Sequence, residues 1–78
     1  MHYTYVLKCS DGKLYVGSSG NLKRRLLEHQ SGKVKTTAIR LPVELVYYEA
    51  CQTENGSVKR EKELKTGFGR AYLKRRLS

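Results

Sequence analysis

The stretch YTYVLKC, residues 3–9, carries the aromatic and β-branched side chains typical of a strand. Ser10-Asp11-Gly12 follows as a turn, because Asp-Gly favours the positive backbone angles a hairpin needs. KLYVG, residues 13–17, returns as a second strand. After Asn21, a good helix cap, Leu22, Leu26 and Leu27 take up helical spacing through Gln30, and Ser31-Gly32 closes the helix. Residues 32–42 are polar and basic and predict a loop ending at Pro42. VELVYYEA, residues 43–50, reads as a third strand. A second helix runs from Thr53 or Glu54 to Thr66, with Asn55 and Gly56 weakening its first turn and Gly67 stopping it. Residues 70–77 predict a short basic terminal helix. The order β-β-α-β-α-α predicts an α+β fold, a small sheet with antiparallel pairing flanked by helices.

Length and charge narrow the classes. The chain has 78 residues, which fit one domain over 1–78 and leave a core too small to tolerate an uncompensated inward charge. No apolar run approaches the roughly 18 residues that span a membrane. The start, Met1-His2-Tyr3-Thr4-Tyr5, predicts no secretory signal. Cys9 and Cys51 are too few for a disulfide framework and lack zinc-ligand spacing, so they read as buried reduced thiols of a cytoplasmic protein. Sixteen Lys and Arg against seven Asp and Glu give a net charge of +9. A field of that sign attracts polyanions, nucleic acid or an anionic membrane surface, without saying what is done to them.

Helical geometry separates neighbouring charges. With Leu22 at zero, Arg25 falls at about 300° and His29 at about 340°, on the shoulder of the apolar face, while Arg24 at about 200° points away. Arg25 therefore lies along the sheet near the strand ends, or snorkels over the core edge to a carboxylate. With Val58 at zero, Leu64 sits at about 240° and Glu61 at about 300°, between the two apolar anchors, whereas Glu63 at about 140° lies outside. An inward Glu61 needs a salt-bridge partner, such as Arg25, or a metal. Hairpin register decides the tyrosines. A two-residue Asp-Gly turn puts Tyr5 and Tyr15 on opposite faces; a three-residue loop, Ser10-Asp11-Gly12, pairs Leu7 with Tyr15 and Tyr5 with Gly17 on one face.

These residues resemble the GIY-YIG nuclease superfamily, in particular its small stand-alone members. That superfamily includes homing endonucleases, some restriction enzymes and the amino-terminal nuclease of the bacterial excision-repair incision protein. The first motif falls on Tyr3-Thr4-Tyr5, where only its last tyrosine is present. The second is Tyr15-Val16-Gly17; the motif arginine matches Arg25, the histidine one turn later matches His29, and the metal-binding glutamate matches Glu61 in VKREKELK. The resemblance covers nearly the whole chain and implies a three-stranded antiparallel sheet flanked by helices.

It further implies hydrolysis of DNA phosphodiesters with a single Mg²⁺ or Mn²⁺ at Glu61, in repair or recombination. Magnesium keeps several waters and takes only one or two protein carboxylates, so one glutamate can anchor it. Arg25 would face charge developing on the phosphoryl oxygens. Tyr5 and Tyr15 are both candidates to activate water, favoured as phenolate by Arg25, the metal or Lys13. His29 would orient a tyrosine, transfer a proton or contact phosphate, and Gly17 would let backbone approach substrate. Lys13, Lys33, Lys35, Arg40, Lys65 and Arg70 are the candidate phosphate contacts, backed by further cations such as Arg60 and Lys74. Partners would be DNA, branched or damaged, and a targeting protein, with the chain a monomer or weak dimer. The alternative is a nucleic-acid-binding module of the same fold that has lost useful catalysis.

Overall fold

The computed structural model describes residues 1–78. A three-stranded antiparallel sheet is formed by β1 (His2–Lys8), β2 (Leu14–Ser19) and β3 (Glu44–Cys51) in the order β2-β1-β3. The helices are α1 (Leu22–Gln30), α2 (Lys35–Ala38), α3 (Glu54–Leu64) and α4 (Gly67–Leu77). The expected order is present, with one addition. Residues 35–38, expected as loop, make the single helical turn α2.

Because β1 is central and covered on both faces, four consecutive residues, Thr4 to Leu7, are buried. Its alternation divides two cores. Tyr5 and Leu7 pack with Cys9 and Val43 under Leu22 and Leu26 of α1. Val6 packs with Val16 against Leu64 of α3 and Leu73 of α4. The two cysteines are free; Cys9 is buried and Cys51 half-buried.

The hairpin takes the three-residue loop. Cys9 N–H donates to the Lys13 carbonyl at 2.9 Å, and Gly12 supplies a φ of 82°. Leu7 therefore pairs with Tyr15 and Tyr5 with Gly17. The caps follow local chemistry: Asn21 accepts from Arg24 N–H, and Thr53 accepts from Gly56 N–H, which offsets the weak Asn55-Gly56 start of α3.

Gly67 does not stop α3. The helix ends at Leu64, and Gly67 is the first residue of α4, capped by Thr66. The decisive glycine is Gly69, where a Cβ would lie 2.3 Å from the Glu63 carbonyl oxygen and 2.4 Å from Leu64 Cα. Both obstacles are backbone, so the α3–α4 corner must open to admit a methyl group. Gly69→Ala is expected to cost stability at the upper end of the about 1–3 kcal/mol typical of overpacking, read as a lower urea midpoint. An unchanged midpoint would show that the corner is not closely packed.

Arg60, expected as a phosphate contact, instead clasps α3 to β3. It donates to both Glu49 carboxylate oxygens, and its guanidinium lies 5.0 Å from the Tyr72 ring centroid. Tyr72 completes the clasp through a 2.9 Å hydroxyl contact with Tyr47.

Candidate active site

The predicted site residues converge on Gly17, in the edge strand β2. On one face, Tyr5 crosses the ladder so closely that a Cβ on Gly17 would lie 2.5 Å from Tyr5 Oη. The space left by the missing side chain is thus filled by the Tyr5 ring, not held open for substrate. Tyr5 Oη is 2.8 Å from His29 Nε2. The Tyr15 ring meets the His29 ring edge-on, with centroids 5.1 Å apart. Tyr5 and His29 are fully buried, whereas Tyr15 is half-buried.

Arg25 follows both sequence alternatives at once. Its guanidinium pairs with Glu28 at 3.2 Å and stands beside the Tyr5 hydroxyl, which holds the Arg25 pKa above its ordinary value. Burial raises the Tyr5 pKa, partly opposed by Arg25, so the phenol is protonated at neutral pH. Burial, reinforced by the Arg25 charge, lowers that of His29. Helix periodicity explains the trio: Arg25 and His29 are one turn apart on the face that α1 lays over Tyr5.

The opposite face supplies the carboxylate. Strand alternation turns Ser18 toward α3, where its hydroxyl donates to Glu61 Oε1 at 2.8 Å. Lys65 donates to Oε2 at 2.7 Å, so Glu61 pairs with Lys65 and not with Arg25. Glu61 is still close enough for its charge to raise the Tyr5 pKa. Gly17 is therefore the thin point of the sheet, with tyrosine, histidine and arginine on one side and a carboxylate on the other.

No three His, Cys, Asp or Glu side chains gather anywhere, so a metal here would rest on a single carboxylate, Glu61 beside the Ser18 hydroxyl. One carboxylate beside a hydroxyl does not suit zinc, but it suits Mg²⁺ or Mn²⁺ completed by water and phosphate oxygens. The Lys65 partner is about half exposed, and an exposed i,i+4 pair of this kind is worth about 0.3–0.5 kcal/mol, so it yields readily. The donor set fits.

The profile of the GIY-YIG catalytic domain matches residues 1–76. The chain belongs to the GIY-YIG family. GIY-YIG proteins are nucleases, generally endonucleases that act on nucleic acid with a divalent metal. A UPF0213 protein of Staphylococcus saprophyticus is 46% identical over 74 residues, covering 94% of this chain and 90% of its own length. A UPF0213 protein of Bacillus pumilus is 48% identical over 66 residues, covering 83% of this chain and 67% of its own. The solution NMR structure of a UPF0213 protein from Bacillus halodurans superposes with a TM-score of 0.58 at 35% identity, over 92% of this chain and 80% of that one. No helix is long and apolar enough to cross a membrane.

The expected phosphate contacts divide. Lys13, Lys33, Lys35 and Arg70 are exposed, and Arg70 lines a groove with Tyr15 and Lys65. Arg40 is paired with Asp11 at 3.2 Å and Lys65 with Glu61. Two site residues were not singled out from sequence, Ser18 and Thr37; the Thr37 hydroxyl lies 2.8 Å from His29 Nδ1.

The neutral burial of His29 has a consequence for pH. The unfolded chain protonates the ring near pH 6.5, above the folded-state value, so the unfolded state binds more protons below that pH. Stability is fully present above about pH 6.5 and is lost as pH falls toward the folded-state pKa. The melting temperature is expected to drop from about pH 7 to pH 5, with a shallower slope in His29→Gln. Parallel slopes in the two proteins would remove His29 as the cause.

Proposed function

We propose that residues 1–78 form one nuclease domain that hydrolyses DNA phosphodiester bonds with a single Mg²⁺ or Mn²⁺, acting in the cytoplasm in repair or recombination. The observation that carries this reading is the meeting of Glu61 with Tyr5, Tyr15, Arg25 and His29 across Gly17. A clasp of purely structural residues has no need of a carboxylate and a guanidinium on opposite sides of one glycine.

Glu61 would hold the ion, which when bound would supply Lewis-acid polarisation of the phosphate and charge stabilisation at the leaving oxygen. Arg25, always charged and with planar donors, binds the phosphoryl oxygens as negative charge grows on them. Tyr15 is the accessible tyrosine and orients the attacking water. Tyr5 is buried and committed to His29, so it acts on Arg25 from behind. The departure from the family pattern at Tyr3-Thr4 lies outside these contacts: Thr4 points to the other face and donates to the Ser57 carbonyl at 2.8 Å, and the Tyr3 ring packs edge-on against Tyr48 of β3.

Lys13, Lys33, Lys35 and Arg70 contact DNA phosphates. Such binding is sequence-tolerant, and its log K falls with log salt by about 0.9 per phosphate neutralised. Specificity then comes from DNA shape, branched or damaged, or from a targeting protein. A monomer with one site cuts one strand; cutting both needs a dimer or two encounters.

Supercoiled plasmid and branched DNA incubated with Mg²⁺, Mn²⁺ or EDTA test the reading. The expected result is nicked product that EDTA abolishes. Tight, salt-sensitive binding by wild type with no cutting of either DNA would overturn it in favour of a binding module.

A further inference from the structure

We propose that Thr37 is a positioning residue for Arg25, acting through His29 and Tyr5. Its hydroxyl accepts the Nδ1 proton of His29, which leaves Nε2 free to accept the Tyr5 hydroxyl and keeps the Tyr5 oxygen turned to the Arg25 guanidinium. The proton assignment stands on geometry alone; the effect on cutting rests on the nuclease reading above.

The assignment follows from counting donors and acceptors. Thr37, His29 and Tyr5 are each 0–1% exposed, so solvent does not complete their hydrogen bonds. Tyr5 Oη makes one hydrogen bond, to His29 Nε2 at 2.8 Å, and the Arg25 charge lies close enough to lower its pKa against the effect of burial. A guanidinium only donates, so the Tyr5 proton has one acceptor, the lone pair on Nε2. The neutral ring then carries its proton on Nδ1, and the atom within reach is Thr37 Oγ1 at 2.8 Å. The Thr37 hydroxyl proton points in turn to the Val34 carbonyl at 3.4 Å. The reversed tautomer would aim Nε2–H at the phenol oxygen and strand the Tyr5 proton in the core without an acceptor, a costly arrangement. The ring is faced by Tyr5 from β1, Tyr15 from β2, Arg25 and Glu28 from its own helix, and Thr37 from α2. Burial and Arg25 keep it neutral.

The local structure supports the same role. The helix α2 is four residues long, and its one buried residue is Thr37. The neighbouring Ile39 is 90% exposed, so the turn is not there to bury its apolar side chain. Beyond its buried Val34 cap, what the helix itself delivers to the interior is the Thr37 hydroxyl.

The test reads the imidazole nitrogens by ¹⁵N NMR, with the half-exposed His2 as internal reference. In wild type at neutral pH, His29 is expected to carry its proton on Nδ1, and Thr37→Ser to keep it there. In Thr37→Val the Nδ1 proton loses its acceptor, so one proton is stranded in either tautomer; the Nε2–H form is expected to become populated and cutting to slow roughly tenfold, with Ser restoring most of the rate. Wild-type and Ser spectra decide the tautomer even where the Val variant folds poorly. A wild-type proton on Nε2, a Val spectrum unchanged from wild type, or a shifted tautomer with unchanged cutting would each overturn the proposal. A wild type that cuts no DNA yet shows Nδ1–H removes the nuclease reading and the effect on rate, while the proton assignment stands.

Discussion

Glu61→Gln is expected to cut DNA at least about a thousandfold more slowly than wild type while melting at nearly the same temperature. The amide keeps the size of the carboxylate and an oxygen to accept from the Ser18 hydroxyl, so the contact at 2.8 Å survives. The pair with Lys65 is lost, but it is an exposed i,i+4 contact of little weight. What disappears is the negative charge that, on the proposed function, would hold a divalent cation. Metal assistance is worth several kcal/mol at the transition state, and each 1.4 kcal/mol is tenfold in rate, which gives the factor of about a thousand. Single-turnover cleavage at saturating Mg²⁺, beside thermal melts, measures both quantities. Equal rates in the two proteins would remove Glu61 from the chemistry.

Gly17→Ala is expected to lose both stability and cutting. The new Cβ would lie 2.5 Å from Tyr5 Oη and 2.6 Å from Cζ. A flexible surface side chain would swing clear, but Tyr5 is 1% exposed and packed with Leu7, Cys9 and Val43. Overpacking of this kind costs about 1–3 kcal/mol, and displacing the ring also breaks the bond to His29, worth about another 1 kcal/mol. The discriminating experiment is a double-mutant cycle with Tyr5→Phe, which removes the closest atom. Stability is expected to recover in part in the double variant while cutting does not, because the phenol oxygen beside Arg25 is gone. Fully additive losses would mean that Gly17 and Tyr5 do not contact each other.

Much of this arrangement was legible in the chain because it rests on periodicity. Helical spacing distinguishes Arg25 from Arg24 and Glu61 from Glu63, and in the structure Arg25 lies near Tyr5 while Glu61 bonds Ser18 across the sheet. The hairpin admitted two registers. The positive φ of Gly12 and the Cys9–Lys13 bond belong to the one that brings Tyr5 and Gly17 together.

What sequence missed depends on contacts between distant segments. A four-residue helix such as α2 has too few positions to show a period, so Thr37 looked like one more polar loop residue. Gly67 resembled a helix stop, but the close approach of α4 to the Glu63–Leu64 backbone falls at Gly69. Arg60 looked like a free cation until β3 brought Glu49 alongside. Ser18 gained its role only when alternation on β2 turned it toward α3.

The most direct test of the central claim is an Mn²⁺ titration of ¹⁵N-labelled protein, with and without a short DNA duplex. Paramagnetic broadening is expected to begin at Ser18 and Glu61, extend to Gly17 and Tyr15, sharpen its site preference when DNA supplies phosphate oxygens, and be absent from the carboxyl-terminal turn of α4. Broadening centred on Asp11, Glu44 or Glu54, or spread evenly over the surface, would contradict a single metal held at Glu61, across Gly17 from the tyrosine–histidine–arginine face.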